Sequence, residues 1–133
     1  MSCGQGATML FDTDILIWIQ RGNHKAATLV QKTDHRFIAL QTYLELLQHA
    51  SNKKQHRYTR EFLTAFAFTI LPLNESIGHR AAVYIEEYGL SSGLRAGDAL
   101  VAATATENHL TLITGNGKHF RIIKDLSLRI FKP

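Results

Sequence analysis

Residues 8–19 read TMLFDTDILIWI, a stretch that joins two apolar runs through an acidic turn. Thr8–Phe11 has the length and the residue types of a short buried strand. Asp12 and Asp14 favour the start of a helix, which we expect to end near Arg21, where Gly22 and Asn23 follow. A strand that passes directly into a helix is typical of α/β folds.

The rest of the chain repeats this alternation of short strands and longer helical segments. We predict further strands at residues 36–39, 69–73, 111–114 and 127–131. We predict helices at residues 24–32, 41–50, 54–68, 74–88 and 98–108, with Gly89 ending the fifth helix of the chain. The expected fold is therefore a single α/β domain with a mainly parallel central sheet of about five strands, flanked by helices.

Length and composition set the class of protein. A chain of 133 residues fits one domain, expected at residues 9–133 after a flexible, glycine-rich extension at residues 1–8. The single cysteine, Cys3, excludes an intramolecular disulfide and a cysteine-based zinc cage. No apolar run approaches the roughly 20 residues that span a bilayer, and no signal-peptide pattern is found at the N-terminus. We therefore expect a cytoplasmic protein without membrane association.

The chain is mildly basic, with a formal net charge of +4. Basic residues spread around an acidic site suit a polyanionic substrate such as nucleic acid. A solvated surface with a small excess of positive charge explains the same composition, and charge alone does not separate the two.

Three widely spaced acids each stand against an apolar segment. Asp12 follows the first predicted strand, Glu45 lies about one helical turn after the second, and Asp98 opens a run that has no other charge through Ala105. Sites in open α/β sheets form beyond the carboxyl ends of the strands, so these acids converge if the first strand is central. Neighbouring carboxylates repel one another unless a divalent cation lies among them. The spacing therefore raises the possibility of a metal-dependent enzyme.

Each acid also has a simpler explanation. Asp12 is a suitable N-cap, and Asp98 fits either an N-cap or an acid in the first turn of a helix. Glu45 fits the solvated face of an amphipathic helix whose leucines, Leu40, Leu44 and Leu47, point inward.

Three further polar residues are candidates for the same site. Asn116 precedes a glycine, and Asn-Gly is first of all a turn signal. Asp14 is a candidate supporting residue. Thr114 fits either the end of a strand or a hydroxyl that orients a carboxylate.

Taken together, four segments resemble the PIN-domain ribonucleases, and specifically the VapC-type toxins of bacterial toxin–antitoxin pairs. They are FDTDILIW (11–18), TYLELLQ (42–48), GDALVAATA (97–105) and LITGNGKHF (112–120). The resemblance implies an endoribonuclease that depends on Mg²⁺ or Mn²⁺, with Asp12, Glu45 and Asp98 as metal ligands and Asn116 completing the catalytic set. It also implies an RNA substrate, a cognate antitoxin and a homodimer. Lys118, His119 and Arg121 are candidates for contacts with the RNA backbone.

The chain departs from the pattern of this family at three places. One is Gln48-His49, which replaces a common glycine-containing end of the second motif. Asn116 stands where the wider family often has an acid, which removes one negative charge from a second metal site. Gly97 stands where relatives often have proline, and we expect a looser loop there. The missing acid leaves open a PIN fold that binds RNA or an antitoxin with weak or no catalysis. A response-regulator receiver domain is disfavoured, because no aspartate ends the third predicted strand, which runs into Pro72 and Asn74.

Overall fold

The computed structural model describes residues 8–133, and its centre is a five-stranded sheet in the order β3-β2-β1-β4-β5. All neighbouring strands are parallel. The strands are β1 (Thr8–Phe11), β2 (His35–Ala39), β3 (Phe68–Leu71), β4 (Thr111–Thr114) and β5 (Leu128–Ile130). The first strand is central, between β2 and β4, as the convergence of the acids requires. The predicted fold class is confirmed.

Seven helices connect or follow the strands in the described part of the chain. They are α1 (Thr13–Gln20), α2 (His24–Gln31), α3 (Leu40–His49), α4 (Lys53–Ala65), α5 (Glu75–Ser92), α6 (Ala96–Glu107) and α7 (Gly117–Phe120). None of these helices is both long enough and apolar enough to cross a membrane. The short helix α7 was not predicted.

Two hydrophobic cores lie on opposite faces of the sheet. Successive residues of a strand point to opposite faces, so Leu10 packs with α5 and α6 while Phe11 packs with α1 and α2. Both side chains are fully buried. Burial on both faces explains why β1 is a continuous apolar run rather than an alternating one.

Several predicted boundaries differ from the structure. Helix α4 ends at Ala65 rather than at residue 68, and Phe68 begins β3. Thr8 pairs with His35 in the sheet and is therefore not part of an extension; residues 1–7 lie outside the described part of the chain. Helix α5 continues through Gly89 and ends at Gly93, whose φ of 73° is the left-handed conformation that glycine adopts without a steric penalty.

The predicted orientation of α3 is also wrong. Leu44 is 47% exposed, whereas Thr42 and Leu46 are buried. The helix is thus rotated about its axis relative to the prediction, and Glu45 is partly buried rather than fully solvated. The interpretation of Glu45 as a residue of the solvated face loses its support.

A polar network lies at the end of the sheet where β4 and β5 begin. The Arg80 guanidinium forms ion pairs with Glu107 and Asp125, with Nη1 2.7 Å from Asp125 Oδ2. The buried Tyr84 hydroxyl lies 2.9 Å from Asp125 Oδ1 and 3.0 Å from Thr106 Oγ1. This set, called the Arg80 network below, joins α5, α6 and the loop before β5.

Candidate active site

Asp12 lies at the carboxyl end of the central strand and is fixed at both carboxylate oxygens. It is the N-cap of α1, and its Oδ1 accepts a hydrogen bond of 2.8 Å from the backbone N–H of Thr13. Its Oδ2 accepts a second bond of 2.8 Å from the Thr114 hydroxyl at the end of β4. The capping interpretation is therefore correct, but it accounts for only one of the two oxygens.

Glu45 reaches the same point from α3. The Thr13 hydroxyl donates to Glu45 Oε1, and the Gln41 amide donates to Oε2 at 3.1 Å. Thr13 therefore contacts one acid through its backbone and the other through its side chain. Because Thr13 is the residue after Asp12, this contact ties α3 to the end of β1.

Asp14 is the third acid of this cluster. Its Oδ2 accepts a bond of 2.8 Å from the backbone N–H of Gly115. A Cβ at residue 115 would lie only 2.7 Å from that oxygen, so the close approach requires glycine. The other oxygen, Oδ1, is buried and has no hydrogen-bond partner in the described part of the chain. We call Asp12, Asp14 and Glu45 the acidic corner.

The acidic corner opposes its own ionisation. Burial, followed by the charge of Asp14, raises the pKa of Asp12 from 3.8 to about 7, although hydrogen bonds from Thr114 and Thr13 lower it. The charge of Glu45 raises this pKa further. Burial also raises the pKa of Asp14, against the effect of the Gly115 N–H bond. Within residues 8–133, no lysine, arginine or histidine forms an ion pair with any of the three acids.

Asp98 forms no hydrogen bond with the acidic corner, although the residue before it lies against Glu45. The residue before it, Gly97, is in the first turn of α6 rather than in the loop that we expected. A Cβ at Gly97 would lie 3.0 Å from Glu45 Oε2, so α6 and α3 are in close contact there. Asp98 Oδ2 is 3.4 Å from the backbone N–H of Arg95, which supports the interpretation of Asp98 as a first-turn acid.

His119 is the partner of Asp98, a pairing that the sequence did not predict. Its Nδ1 lies 3.1 Å from Asp98 Oδ2 and connects α7 to α6. In the sequence, only the position of His119 close to Asn116 indicated a role for this histidine. No sequence feature indicated that it pairs with Asp98.

The remaining predicted residues lie on or beside α7. Thr114 is buried and binds Asp12, as its interpretation as an orienting hydroxyl requires. Asn116 is exposed, its backbone N–H donates to Thr114 Oγ1 at 3.0 Å, and its side chain forms no cap on α7. Lys118 and Arg121 are exposed. Asn116 thus occupies the turn that its sequence signals.

The acids are not gathered into a ready-made ligand cage. Among residues 8–133, no group of three or more His, Cys, Asp or Glu side chains is positioned to hold a metal ion. Thr13 donates hydrogen bonds to both Asp12 and Glu45. The charge of the nearby Asp14 raises the pKa of Asp12. Asp98 is held by His119 instead.

The fold has known relatives. The family model of the PIN domain matches residues 9–126. A chain of a toxin–antitoxin complex from Klebsiella pneumoniae is 32% identical and superposes with a TM-score of 0.75, covering 90% of this chain and 95% of its own length. No curated protein matches the chain.

Two further solved structures are similar at lower identity. VapBC-1 from nontypeable Haemophilus influenzae is 25% identical, with a TM-score of 0.75 and coverage of 92% of this chain and 96% of the other. FitAcB from Neisseria gonorrhoeae is 25% identical, with a TM-score of 0.69 and coverage of 90% and 95%. The chain therefore belongs to the PIN-domain family, and its predicted resemblance to the VapC-type toxins is confirmed.

Proposed function

We propose that this protein is a divalent-metal-dependent endoribonuclease and the toxin of a toxin–antitoxin pair. The observation that carries the proposal is the acidic corner at the carboxyl end of β1. Three acids converge there without a basic partner in the described part of the chain. Burial and the charge of Asp14 raise the pKa of Asp12 to about 7. The hydrogen bonds of these acids hold neighbouring segments together but do not offset the repulsion between the carboxylates, whereas a bound cation would.

The donor set suits Mg²⁺ or Mn²⁺. Both ions prefer oxygen ligands, and the buried Asp14 Oδ1 is a carboxylate oxygen that still lacks a partner among residues 8–133. Mg²⁺ usually keeps several waters and takes one or two carboxylates directly, so a gathered cage of three ligands is not required. We propose Asp12 and Asp98 as the more direct ligands, with Glu45 acting through water. When bound, the ion would neutralise charge that develops on the phosphate and lower the pKa of the attacking water.

The residues of the chain would supply orientation and proton handling. The Thr114 hydroxyl and the Thr13 N–H hold the Asp12 carboxylate in one orientation. Gln41 holds Glu45 Oε2, which leaves the glutamate placed to accept a hydrogen bond from the attacking water. In-line attack of water on phosphorus would break the bond to the 3′ oxygen and leave a 3′-hydroxyl and a 5′-phosphate. We propose Lys118, His119 and Arg121 as contacts for the RNA backbone, with Asn116 or Thr114 orienting water or ligand.

A cleavage assay with matched variants tests the catalytic proposal. Purified wild type, Asp12→Asn and Asp125→Asn are incubated with structured RNA and Mg²⁺ or Mn²⁺, and the 5′ ends of the products are identified. We expect cleavage by wild type and by Asp125→Asn, whose acid lies in the Arg80 network, and none by Asp12→Asn. Equal cleavage by wild type and Asp12→Asn would mean a contaminating nuclease and a PIN fold used for binding alone.

The toxin role and the partners are supported by the relatives. The Klebsiella pneumoniae structure is a toxin–antitoxin complex, and we propose that this chain also has a cognate antitoxin. Growth arrest after induction of the wild type, but not of Asp12→Asn, would support the toxin role, and equal growth would oppose it.

We also propose that the protein is a homodimer. An apolar groove between α5 and α6, lined by Ala82, Ile85 and Leu100, offers a surface for the second copy. The solution mass should be about twice 15.0 kDa by light scattering. A mass of one chain at the concentrations used for cleavage would contradict this.

A further inference from the structure

A cavity of about 580 Å³ lies between α2 and the segment that contains β5 and the residues after it. Four of its ten lining residues are lysine or arginine, a fifth is histidine, and none is acidic. We call it the basic groove; its basic residues are His24, Lys25, Lys32, Arg129 and Lys132. None of them was among the residues that we predicted to contact RNA.

The charge of the basic groove is available to a ligand. All five basic side chains are exposed, and none forms an ion pair within residues 8–133. Lys25 Nζ lies 6.0 Å from the centre of the Phe131 ring, over an apolar floor to which Leu29 and Ile130 also contribute. Cations that gather around an apolar floor fit a single nucleic-acid strand, which presents phosphates on one side and flat bases on the other.

Two residues that line the basic groove are backbone neighbours of the acidic corner and of its hydrogen-bond partners. One wall includes Ile113, whose carbonyl accepts the Asp12 N–H at 2.9 Å. The adjoining wall includes Phe131, whose N–H donates to the Thr114 carbonyl at 2.8 Å. The Phe131 carbonyl lies 3.5 Å from the position of a Cβ on Gly115, the residue that binds Asp14. The groove therefore lies beside the end of the sheet that carries the acidic corner.

We propose that the basic groove binds the phosphate backbone of the RNA on one side of the scissile bond. This inference rests on the proposed nuclease function, which supplies the substrate. RNA is favoured over an acidic protein segment because the groove adjoins the proposed cleavage site and combines spread cations with an apolar floor.

The test is a binding measurement that needs no cleavage. A fluorescein-labelled single-stranded RNA of about 20 nucleotides is titrated with protein in EDTA at several salt concentrations, and the dissociation constant is measured by anisotropy. The variant is Lys25→Gln with Lys132→Gln. The matched control, Lys54→Gln with Lys124→Gln, removes the same charge from two exposed lysines outside the groove. Unchanged thermal unfolding of both variants confirms that they fold.

We expect the groove variant to bind RNA about 5- to 10-fold more weakly, with a salt slope of log Kd reduced by about 1.4, since each phosphate contact on a single strand contributes about 0.7. The control should change affinity less than twofold. In Mg²⁺, the groove variant should raise KM by a similar factor and leave kcat within about twofold of wild type. Equal affinity and salt slope for groove variant and control overturn the proposal.

Two outcomes separate this inference from the proposed function. If the wild type binds RNA through the groove but never cleaves it, the groove remains an RNA-binding surface and the nuclease proposal falls. If the wild type cleaves RNA and the groove variant matches the control, only the groove falls. A labelled poly-glutamate peptide is titrated in parallel; a groove variant that loses the peptide but keeps RNA assigns the groove to an acidic protein partner instead.

Discussion

The two ends of the sheet hold carboxylates in opposite electrostatic settings. At the end where β4 and β5 begin, Glu107 and Asp125 share the guanidinium of Arg80. At the carboxyl end of β1, Asp12, Asp14 and Glu45 have hydroxyl, amide and backbone N–H donors but no cation from residues 8–133. In the first cluster, both acids are paired with a cation of the same chain. The second holds its acids with neutral donors, leaves Asp14 Oδ1 without a partner among residues 8–133 and leaves the charge uncompensated, as the proposed cation site would require.

The largest expected effect is on catalysis. Asp12→Asn should lower RNA cleavage by at least about 100-fold, the scale seen when one group that stabilises a transition state is removed. Asp125→Asn, an identical change in the Arg80 network, should leave cleavage within about twofold. The initial rates of both variants on one RNA measure the contrast, and similar losses would erase the functional distinction between the two ends.

The next effect is stabilisation by the ion. At a concentration 100 times its dissociation constant, Mg²⁺ or Mn²⁺ should raise the free energy of unfolding by about 2.7 kcal/mol. The increase should be retained in Asp125→Asn and lost in Asp12→Asn, because only the acidic corner gains a partner. Chemical unfolding with and without the ion checks this. An equal gain in Asp12→Asn would place the ion elsewhere.

The acidic corner should also make the metal-free protein less stable as pH rises. The pKa of Asp12 is about 7 in the folded chain, against the 3.8 of an unperturbed aspartate, so between these values the folded state binds more protons than the unfolded state. Protonated Asp12 therefore favours folding at low pH, and this contribution is lost as pH rises through about 7. Asp12→Asn should flatten that slope and be more stable than wild type at pH 8, because the asparagine carries no charge to bury.

Unfolding in EDTA across pH 4 to 8 measures this slope. Asp125→Asn is the control, since its slope should follow that of wild type. A wild type whose stability rises across this range would show that Asp12 ionises without penalty.

The smallest expected effect is on the Arg80 network. Arg80→Met should cost about 1 kcal/mol of folding stability, because the ion pairs are partly exposed and solvent screens them. The cost should shrink in high salt, where screening is stronger. Cleavage should be unchanged. Denaturant unfolding at two salt concentrations gives the value, and a loss of cleavage would couple the two ends of the sheet.

The sequence was sufficient for the sheet because its strands are short apolar runs with sharp polar boundaries. The predicted limits of β4 match the structure, and the central place of β1 brings Asp12 beside Thr114, 102 residues away. The end of α5 was not predictable from local pattern, since Gly89 and Gly93 are both reasonable stops and only the backbone conformation of Gly93 decides.

The site was harder to predict than the fold, because its contacts link distant segments. Thr42 is buried although leucines surround it in sequence, and its hydroxyl lies 3.3 Å from that of Thr13. That placement sets the rotation of α3 and directs Glu45 toward the acidic corner. The pairing of His119 with Asp98 also depends on tertiary packing, since α7 has only four residues and no periodic signal.

The order of strands has a consequence for synthesis on the ribosome. The central strand β1 is made early, but one of its two neighbours is β4, which begins only at Thr111. A nascent chain that has not reached Thr114 and Gly115 carries Asp12, Asp14 and Glu45 without the hydroxyl and N–H that hold two of them. Parallel pairing across such a distance also closes late in folding. The acidic corner is therefore assembled only after nearly the whole chain has been translated.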